Sequence, residues 1–514
     1  MPIFWPGVIA MFVMYAAVFL VGVWAGREYQ GEPSAEELML AGRSLPLWVG
    51  LLTMTATWVG GGYINGTAES TFSSGVLWGS QAGIGYALSL VLGGLLYART
   101  MRRHRYATLV DPLEARFGRV PAVILMVPAV LAELFWSAAI LVALGSTFGA
   151  VVGLGLKTSI ALSAAVAIGY TMFGGLRAVA YTDVVQLFLI LIGLGLAVPF
   201  VVHAAGGVST IATRVTGALG GKTAFGGFGS PREAWAYGDW FVILALGGIP
   251  WNVYFQRVLS ARDETSASRM SMWAGLLCAL MALPPIVLGL AGRALDWSVL
   301  AGGPAGATLG GPAKVTADLA ATPALVLPYL LRLAVPAWVG VLGLGAVAAA
   351  VMSSVDSSIL SASSLVAWNG YRRLVRPDAS GREITRLVQV LVVTLGGAAM
   401  VIALTVQSVA ALWYLCGDVV YCVLFPQLTL ALFDKKANAI GAMSGFAVSV
   451  LLRLGGGDTT LHLPAFLHYP SWGDYDFPFR TLAMLSGLVT AFVVSRLTTA
   501  WDAPRALDRL KEGA

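Results

Sequence analysis

An apolar segment near the start of the chain is interrupted by the sequence Thr55-Ala56-Thr57-Trp58-Val59-Gly60-Gly61-Gly62-Tyr63-Ile64-Asn65-Gly66. The segment is long enough to cross a bilayer. It nevertheless carries three consecutive glycines, a tryptophan and an asparagine where a plain spanning helix carries leucine and valine. Non-helical backbone at membrane depth is tolerated only where it is buried in protein or lines a cavity. The pattern therefore indicates a binding site inside a broken membrane span.

The composition places most of the chain in lipid. Of its 514 residues, 58% are apolar and 11% are charged, whereas soluble domains are about a quarter charged. The net charge of +6 comes from basic residues in loops beside the spans and indicates no nucleic-acid partner. The three cysteines, Cys278, Cys416 and Cys422, all fall in apolar segments and are expected to act as small buried hydrophobes. No catalytic constellation is present, so an enzyme is not expected.

Windows of about 20 apolar residues predict thirteen membrane spans. They cover roughly 5–25, 45–67, 72–98, 121–151, 158–175, 180–203, 239–258, 268–292, 336–368, 386–407, 409–433, 436–453 and 479–499. The run from Leu325 to Leu333, which contains Pro328, is a candidate for a separate extracellular helix. An extracellular or periplasmic N-terminus and a cytoplasmic C-terminus place most lysines and arginines in inner loops. The chain is therefore expected to be a multi-pass protein of the cell membrane.

A second interruption, Gly247-Gly248-Ile249-Pro250-Trp251-Asn252, follows five spans after the first. Proline frees a helix carbonyl, and paired breaks at corresponding positions indicate a transporter built from two inverted repeats. The alternative is that glycine and proline are simply common in membrane helices. The expected organisation is one transmembrane domain over 1–514. Its parts are an extra span at about 5–25, repeat one at about 45–203, repeat two at about 239–433, two further spans at about 436–499, and a short cytoplasmic tail at 500–514.

Hydroxyl groups cluster in the sequence Ala350-Val351-Met352-Ser353-Ser354-Val355-Asp356-Ser357-Ser358. Residues 350, 353, 354 and 357 share one helical face, and Asp356 borders that face. Hydroxyls, a carboxylate and freed carbonyls are hard oxygen ligands, which suit an alkali cation better than a transition metal. The alternative is that the serines bond their own backbone and permit close packing. That alternative does not explain Asp356, because a carboxylate within the membrane is energetically costly.

Several further acids fall within or beside the predicted spans, and each is a candidate for a functional role by default. They are Glu133, Asp183 and Asp418 within spans, and Glu69 and Asp239 near span ends. A helix N-cap is an equal alternative for Asp183, and it is the expected role of Asp239. The sequence names no partner for Glu133 or Asp418.

Aromatic residues also lie inside the spans, away from the interfacial belt. Trp58, Trp136, Trp251 and Trp413 lie beside a break or a polar motif, and Tyr86 lies within another span. A quaternary ammonium ion offers no hydrogen-bond donor, so aromatic faces must recognise it through cation–π contacts. Ordinary core packing is an equal alternative for any single one of these rings.

The chain resembles the sodium:solute symporter family, and its most specific matches are to the choline-transporting branch of that family. The resemblance runs from the first span to the last. It is carried by Thr53–Glu69, Val179–Phe188, Gly247–Trp251 with Tyr254–Ser260, Ala350–Ser354 with Asp356–Ser364, and Leu412–Leu415 with Asp418.

The resemblance implies an all-α integral membrane protein with about 13 transmembrane helices and a LeuT-like 5+5 inverted repeat, in which helices 1 and 6 are broken. It implies a sodium ion at the carbonyls of Ala56, Val59 and Ala350 and the hydroxyls of Ser353 and Ser354. A second sodium position, found in some members, corresponds to Asp183, Ser353, Asp356 and Ser357. A choline pocket corresponds to Trp58, Tyr86, Trp136, Trp251 and Trp413. Relatives of this branch also depend on chloride ion, for which no residue is assigned.

The expected function is therefore sodium-coupled import of choline by alternating access. One alternative is a sodium symporter of the same kind for another small solute, such as betaine or proline. Another is a channel or a sensor on the same fold. A channel would pass solute without a sodium gradient, and a sensor would carry an output domain, which is not expected here. Membrane lipid is the expected surrounding partner, and the oligomeric state is left open.

Overall fold

The computed structural model describes residues 5–27, 35–152, 154–171, 175–218, 227–228, 230–472 and 475–507. The first half forms α1 (Trp5–Arg27), α2 (Ala35–Leu40), α3 (Leu47–Trp58), α4 (Gly61–Ser74), α5 (Val76–Gly79), α6 (Gln81–Leu92), α7 (Arg99–Arg103), α8 (Asp111–Phe117), α9 (Arg119–Val152), α10 (Leu156–Thr171), α11 (Leu176–Ala204) and α12 (Gly207–Ala218). Turns of 3₁₀-helix cover Ala41–Arg43 and Pro323–Leu325, and turns of π-helix cover Gly93–Ala98, Val366–Val375 and Val420–Leu424.

The second half forms α13 (Pro231–Gly247), α14 (Asn252–Ser260), α15 (Glu264–Met281), α16 (Leu283–Ala294), α17 (Trp297–Leu300), α18 (Pro304–Thr308), α19 (Gly311–Ala321), α20 (Val326–Leu333), α21 (Ala337–Leu365), α22 (Gly381–Val406), α23 (Val409–Val419), α24 (Phe425–Phe433), α25 (Ala439–Gly455) and α26 (Phe479–Leu497). A small antiparallel hairpin of β1 (Ser471–Trp472) and β2 (Tyr475–Asp476) precedes α26.

The expected class, an all-helical membrane protein, is confirmed. Within the described residues, nine helices are long and apolar enough to cross a membrane. Breaks divide other predicted spans into shorter pieces, such as α3 with α4 and α13 with α14, and these pieces fall below that length. The count of thirteen crossings and the orientation of the termini stay predictions. The separate helix expected over Leu325–Leu333 is confirmed as α20, which Ala334–Pro336 separate from α21.

The first predicted break is confirmed between α3 and α4. Val59 has φ −83° and ψ 45°, and Gly60 is extended with φ −80° and ψ −177°. The break is shorter than expected, because Gly61 and Gly62 already belong to α4. A Cβ atom on Gly60 would lie 1.6 Å from Ser354 Oγ, and one on Gly61 would lie 2.1 Å from Val351 Cγ2. These glycines therefore allow α21 to approach the broken helix directly.

The second predicted break is confirmed between α13 and α14. Gly248 follows the end of α13, and Trp251 is extended with φ −106° and ψ 131° before α14 begins at Asn252. Pro250 contributes no backbone N–H to the interrupted turn. The short α14 packs against both α3 and α21, so the two broken helices and α21 share one contact region.

Helix α21 forms the centre of this region. It packs against α9, α11 and α4, and its second half, which carries the serine motif, is buried throughout. The polar motif therefore lies inside the protein and does not face lipid.

Candidate functional site

The five aromatic residues singled out in the sequence lie in one contiguous cluster, called here the aromatic cage: Trp58, Tyr86, Trp136, Trp251 and Trp413. The Tyr86 ring centroid lies 6.3 Å from that of Trp58, 6.4 Å from that of Trp136 and 5.8 Å from that of Trp413. Trp251 joins the cluster through Trp136, with centroids 5.6 Å apart. All five residues are buried.

The two breaks position two of these rings. Trp58 is the last residue of α3, and Trp251 is the last residue before α14. The other three rings come from α6, α9 and α23, so both predicted repeats contribute to the aromatic cage. The Trp413 indole N–H donates to the Tyr86 hydroxyl over 2.6 Å. The indole N–H groups of Trp58 and Trp136 are buried and have no hydrogen-bond partner among the described residues.

A small cavity lies at the centre of the aromatic cage. It is lined by Thr57, Trp58, Tyr86, Trp136, Trp251 and Val253, and the centres of water-sized spheres can occupy about 10 Å³ of it. That space is enough for about one water molecule. An organic solute therefore needs the rings to move apart before it can bind there.

Beside the aromatic cage, a cluster of hard oxygen atoms joins the end of α3 to α21. Ser353 Oγ lies 3.1 Å from the Ala56 carbonyl oxygen and 2.9 Å from that of Ala350. Ser354 Oγ lies 3.1 Å from the Thr57 carbonyl oxygen and 3.4 Å from that of Ala350. The structure thus brings together four of the five groups that the resemblance assigns to sodium.

The remaining assigned residue, Val59, lies in the break itself, and the Thr57 carbonyl takes part although the sequence interpretation did not name it. The last carbonyls of a helix have no intrahelical partner, and the helix dipole makes that end negative. The signal for Thr57 was therefore its position in the last turn of α3.

The N-cap roles considered for Asp183 and Asp239 are wrong. Gly175 is the N-cap of α11, and Ser230 is the N-cap of α13, so both acids lie inside their helices. Both helices begin earlier than predicted. The extended residue before the first turn is Gly175 in α11 and Ser230 in α13. Asp239 instead accepts a hydrogen bond from the Thr481 N–H over 2.9 Å.

Asp183 belongs to a buried group that we call the inner charged cluster: Asp183, Arg257, Asp356 and Ser357. Asp183 Oδ2 accepts from Thr53 Oγ1 over 2.5 Å and lies 3.5 Å from Arg257 Nη2. Arg257 Nη2 also donates to Ser357 Oγ over 2.5 Å. Asp356 Oδ1 accepts from the Ser357 N–H over 2.7 Å. The sequence prediction counted Arg257 among the basic residues of the inner loops, and this was wrong, because Arg257 is fully buried inside α14.

The acids for which the sequence named no partner have partners far away along the chain. Glu133 Oε1 accepts from Ser361 Oγ over 2.7 Å and from the Val253 N–H over 3.3 Å, so it caps the first turn of α14. Asp418 Oδ2 lies 2.5 Å from Arg453 Nε and 3.3 Å from Arg480 Nε.

Comparison with known proteins assigns the chain to a family. A model described as "Sodium:solute symporter family" matches residues 38–449. High-affinity choline transporter 1 of Caenorhabditis elegans is 44% identical over 517 residues, which cover 96% of this chain and 88% of the relative. High affinity choline transporter 1 of Homo sapiens is 43% identical over 505 residues, which cover 96% of this chain and 85% of the relative.

The fold has a solved counterpart. A substrate-bound, outward-open Na⁺-coupled sialic acid symporter aligns over 98% of this chain and 99% of its own, with a TM-score of 0.76 and 19% sequence identity. At that identity the likeness concerns the fold, which is of the LeuT type.

Proposed function

The chain belongs to the sodium:solute symporter family, and we propose that it imports choline together with sodium by alternating access. The observation that carries the choline assignment is the aromatic cage, in which five buried rings converge from both broken helices and three neighbours. The naming of the relatives supports the same solute.

The chemistry of choline fits the groups that the aromatic cage offers. Its trimethylammonium group has no hydrogen-bond donor, and a desolvated cation–π contact is worth about 2 kcal/mol or more. Its hydroxyl oxygen is an acceptor, and the buried indole N–H groups of Trp58 and Trp136 are donors without a partner among the described residues. A cage of this kind selects a small cation that carries one polar group.

Sodium coupling is a property of the family, and we assign the ion to the oxygen cluster of Ala56, Val59, Ala350, Ser353 and Ser354, with the Thr57 carbonyl beside it. An ion there would join α3 to α21 and would favour the conformation in which the aromatic cage is assembled. A second position is proposed at Asp183, Asp356 and Ser357, with Ser353 between the two. Each positive charge carried inward gains about 2.3 kcal/mol per 100 mV of membrane potential.

The wider arrangement is part of the same proposal. The protein would lie in the cell membrane with its N-terminus outside. Residues 45–203 and 239–433 would form the two inverted repeats, flanked by the span at 5–25 and the two spans within 436–499. Chloride dependence is included on the ground of resemblance alone, and no chloride ligand is assigned.

Transport by purified protein in liposomes tests this function. Uptake of radiolabelled choline is expected to require an inward sodium gradient, to increase with a negative interior and to resist competition by betaine and proline. Replacement of chloride by gluconate tests the chloride assignment separately. Choline flux without a sodium gradient would indicate a channel. Stronger uptake of betaine or proline than of choline would show that the transporter carries a different solute.

A further inference from the structure

We propose that Arg257 is a tethered cation that takes the place of sodium in the inner charged cluster whenever the carrier is empty. The proposal rests on the second sodium position proposed above and adds a competitor for it. The guanidinium would leave Asp183 and Ser357 when sodium binds and would return when sodium leaves.

The geometry places the guanidinium among the ligands of the proposed ion. Arg257 Nη2 lies 3.5 Å from Asp183 Oδ2 and donates to Ser357 Oγ over 2.5 Å. The side chains of Asp183 and Arg257 are both 0% exposed. Asp183 and Ser357, which the resemblance assigns to sodium, are therefore both bound by the positive charge of Arg257.

The inner charged cluster contains buried polar atoms that could serve as ligands for an ion. Among the described residues, Asp183 Oδ1 and Asp356 Oδ2 are buried without a hydrogen-bond partner, and so is Arg257 Nε. Buried polar atoms of this kind are rare in folded proteins and call for an explanation. Two free carboxylate oxygens beside a hydroxyl are ligands that a sodium ion can use once Arg257 withdraws.

Arg257 also contacts its own half-helix, and that contact does not involve Asp183. Its Nη1 donates to the Val253 carbonyl over 3.3 Å, and Glu133 accepts from the Val253 N–H over 3.3 Å. Glu133 and Asp356 both act on Arg257 electrostatically. A guanidinium displaced from Asp183 therefore stays within the field of two further carboxylates.

The physical reason for such a device is the return step of the transport cycle. A carrier that has released its ions must reorient with its binding groups still buried. Leaving carboxylates buried and unpaired is strongly unfavourable. Arginine stays protonated in proteins, so Arg257 can neutralise Asp183 during that step without any ion from solution.

Comparison of net uptake with exchange tests the proposal, because only net uptake requires the empty carrier to return. Arg257→Met is expected to lower net choline uptake by about tenfold or more, since the empty form then holds unpaired carboxylates. Choline exchange with saturating sodium on both sides is expected to change little. The sodium concentration for half-maximal exchange should fall, because the competitor is gone.

Two further variants keep the test interpretable. Arg257→Met combined with Asp183→Asn removes both charges and is expected to recover part of the lost net uptake. Arg453→Met is the matched control, since Arg453 is a buried arginine paired with Asp418 outside the proposed ion site. It should lower net uptake and exchange in the same proportion.

Equal loss of net uptake and exchange in Arg257→Met, measured per folded molecule, would overturn the proposal. An unchanged sodium requirement for exchange in that variant would do the same. Absence of sodium-driven choline uptake in the unaltered protein would instead contradict the proposed function, so the two failures are distinguishable.

Discussion

Two buried clusters of arginine and aspartate differ in how completely their polar atoms are paired. In the outer charged cluster, defined as Asp418, Arg453 and Arg480 with Asp458, Arg453 binds Asp418 and Asp458, each over 2.5 Å, and the Gly457 carbonyl over 3.0 Å. In the inner charged cluster, Asp183, Arg257 and Asp356 each retain an unpaired buried atom among the described residues. The difference supports the proposal that the outer charged cluster stabilises the fold, whereas the inner one accepts an ion.

Aromatic packing completes the outer charged cluster. The Arg480 guanidinium carbon lies 4.1 Å from the Trp240 ring centroid and 4.4 Å from the Phe479 ring centroid. The remaining oxygen of Asp418 accepts from the Cys422 thiol over 3.1 Å. Every group therefore has a fixed partner, and the cluster ties α25 and α26 to α23.

The largest expected effect comes from breaking the outer charged cluster. Asp418→Asn leaves two buried arginines without their shared carboxylate and should cost about 3–5 kcal/mol of stability. Thermal unfolding followed by tryptophan fluorescence should show a much lower Tm. Sodium dependence per folded molecule should stay as in the unaltered protein. A changed sodium requirement at unaltered Tm would reverse the roles assigned to the two clusters.

Asp183→Asn is the matched change in the inner charged cluster. It keeps the shape and the contact with Thr53 but removes the charge that faces Arg257. Its cost in stability should be smaller, about 1–3 kcal/mol, because Arg257 still has Asp356 and Glu133 nearby as counter-charges. It should also alter the cooperativity or the stoichiometry of sodium. Dual-isotope uptake of sodium and choline measures both quantities. Normal transport with the same sodium dependence, in this variant and in Asp356→Asn, would make the acidity of both residues structural.

The aromatic cage supplies the third comparison, since it is buried but contains no formal charge. At each of Trp58, Trp136, Trp251 and Trp413, choline affinity should fall in the order Trp, Phe, Leu. The loss should be roughly 1–2 kcal/mol per site, or about 5- to 30-fold in apparent affinity. Competition binding with choline and with its uncharged carbon isostere measures this ranking. Equal affinity of the Leu and Trp forms at all four positions would reduce the aromatic cage to ordinary packing.

The smallest expected effect is at the oxygen cluster between α3 and α21. Ser353→Ala or Ser354→Ala removes one hydroxyl ligand out of several and should weaken sodium activation by about 1 kcal/mol, a factor of about 5. Choline recognition in saturating sodium should change less. Sodium titration of uptake checks this, and unchanged activation in both variants would exclude these serines from the ion site.

Local patterns were enough to predict the two breaks and most of the long helices, because glycine, proline and long apolar runs act on the backbone where they occur. Residues on different helices are a different matter. Glu133 and Ser361, or Asp418 and Arg453, meet only after the helices have packed, so no spacing rule names them as partners. The N-cap alternative for Asp183 was wrong because Gly175, a residue of weak local signal, begins the helix earlier.

The candidate site was predictable in its residue types but only partly in its pairing. The five rings of the aromatic cage and the serine motif stood out because aromatic and polar residues are unusual inside membrane spans. Thr57 was missed because its contribution is a backbone carbonyl, which every residue possesses. Arg257 was assigned to an inner loop because the short α14 that carries it looks like the end of an ordinary span.

The narrowness of the aromatic cage has a consequence for leakage. Its central space of about 10 Å³ holds roughly one water molecule, and indole and phenol rings form most of its lining. A proton crosses a membrane protein along a continuous chain of hydrogen-bonded waters, and one isolated water cannot form such a chain. In this conformation the aromatic cage therefore offers no continuous water chain along which protons could cross, which would limit leakage of ions while the empty carrier reorients.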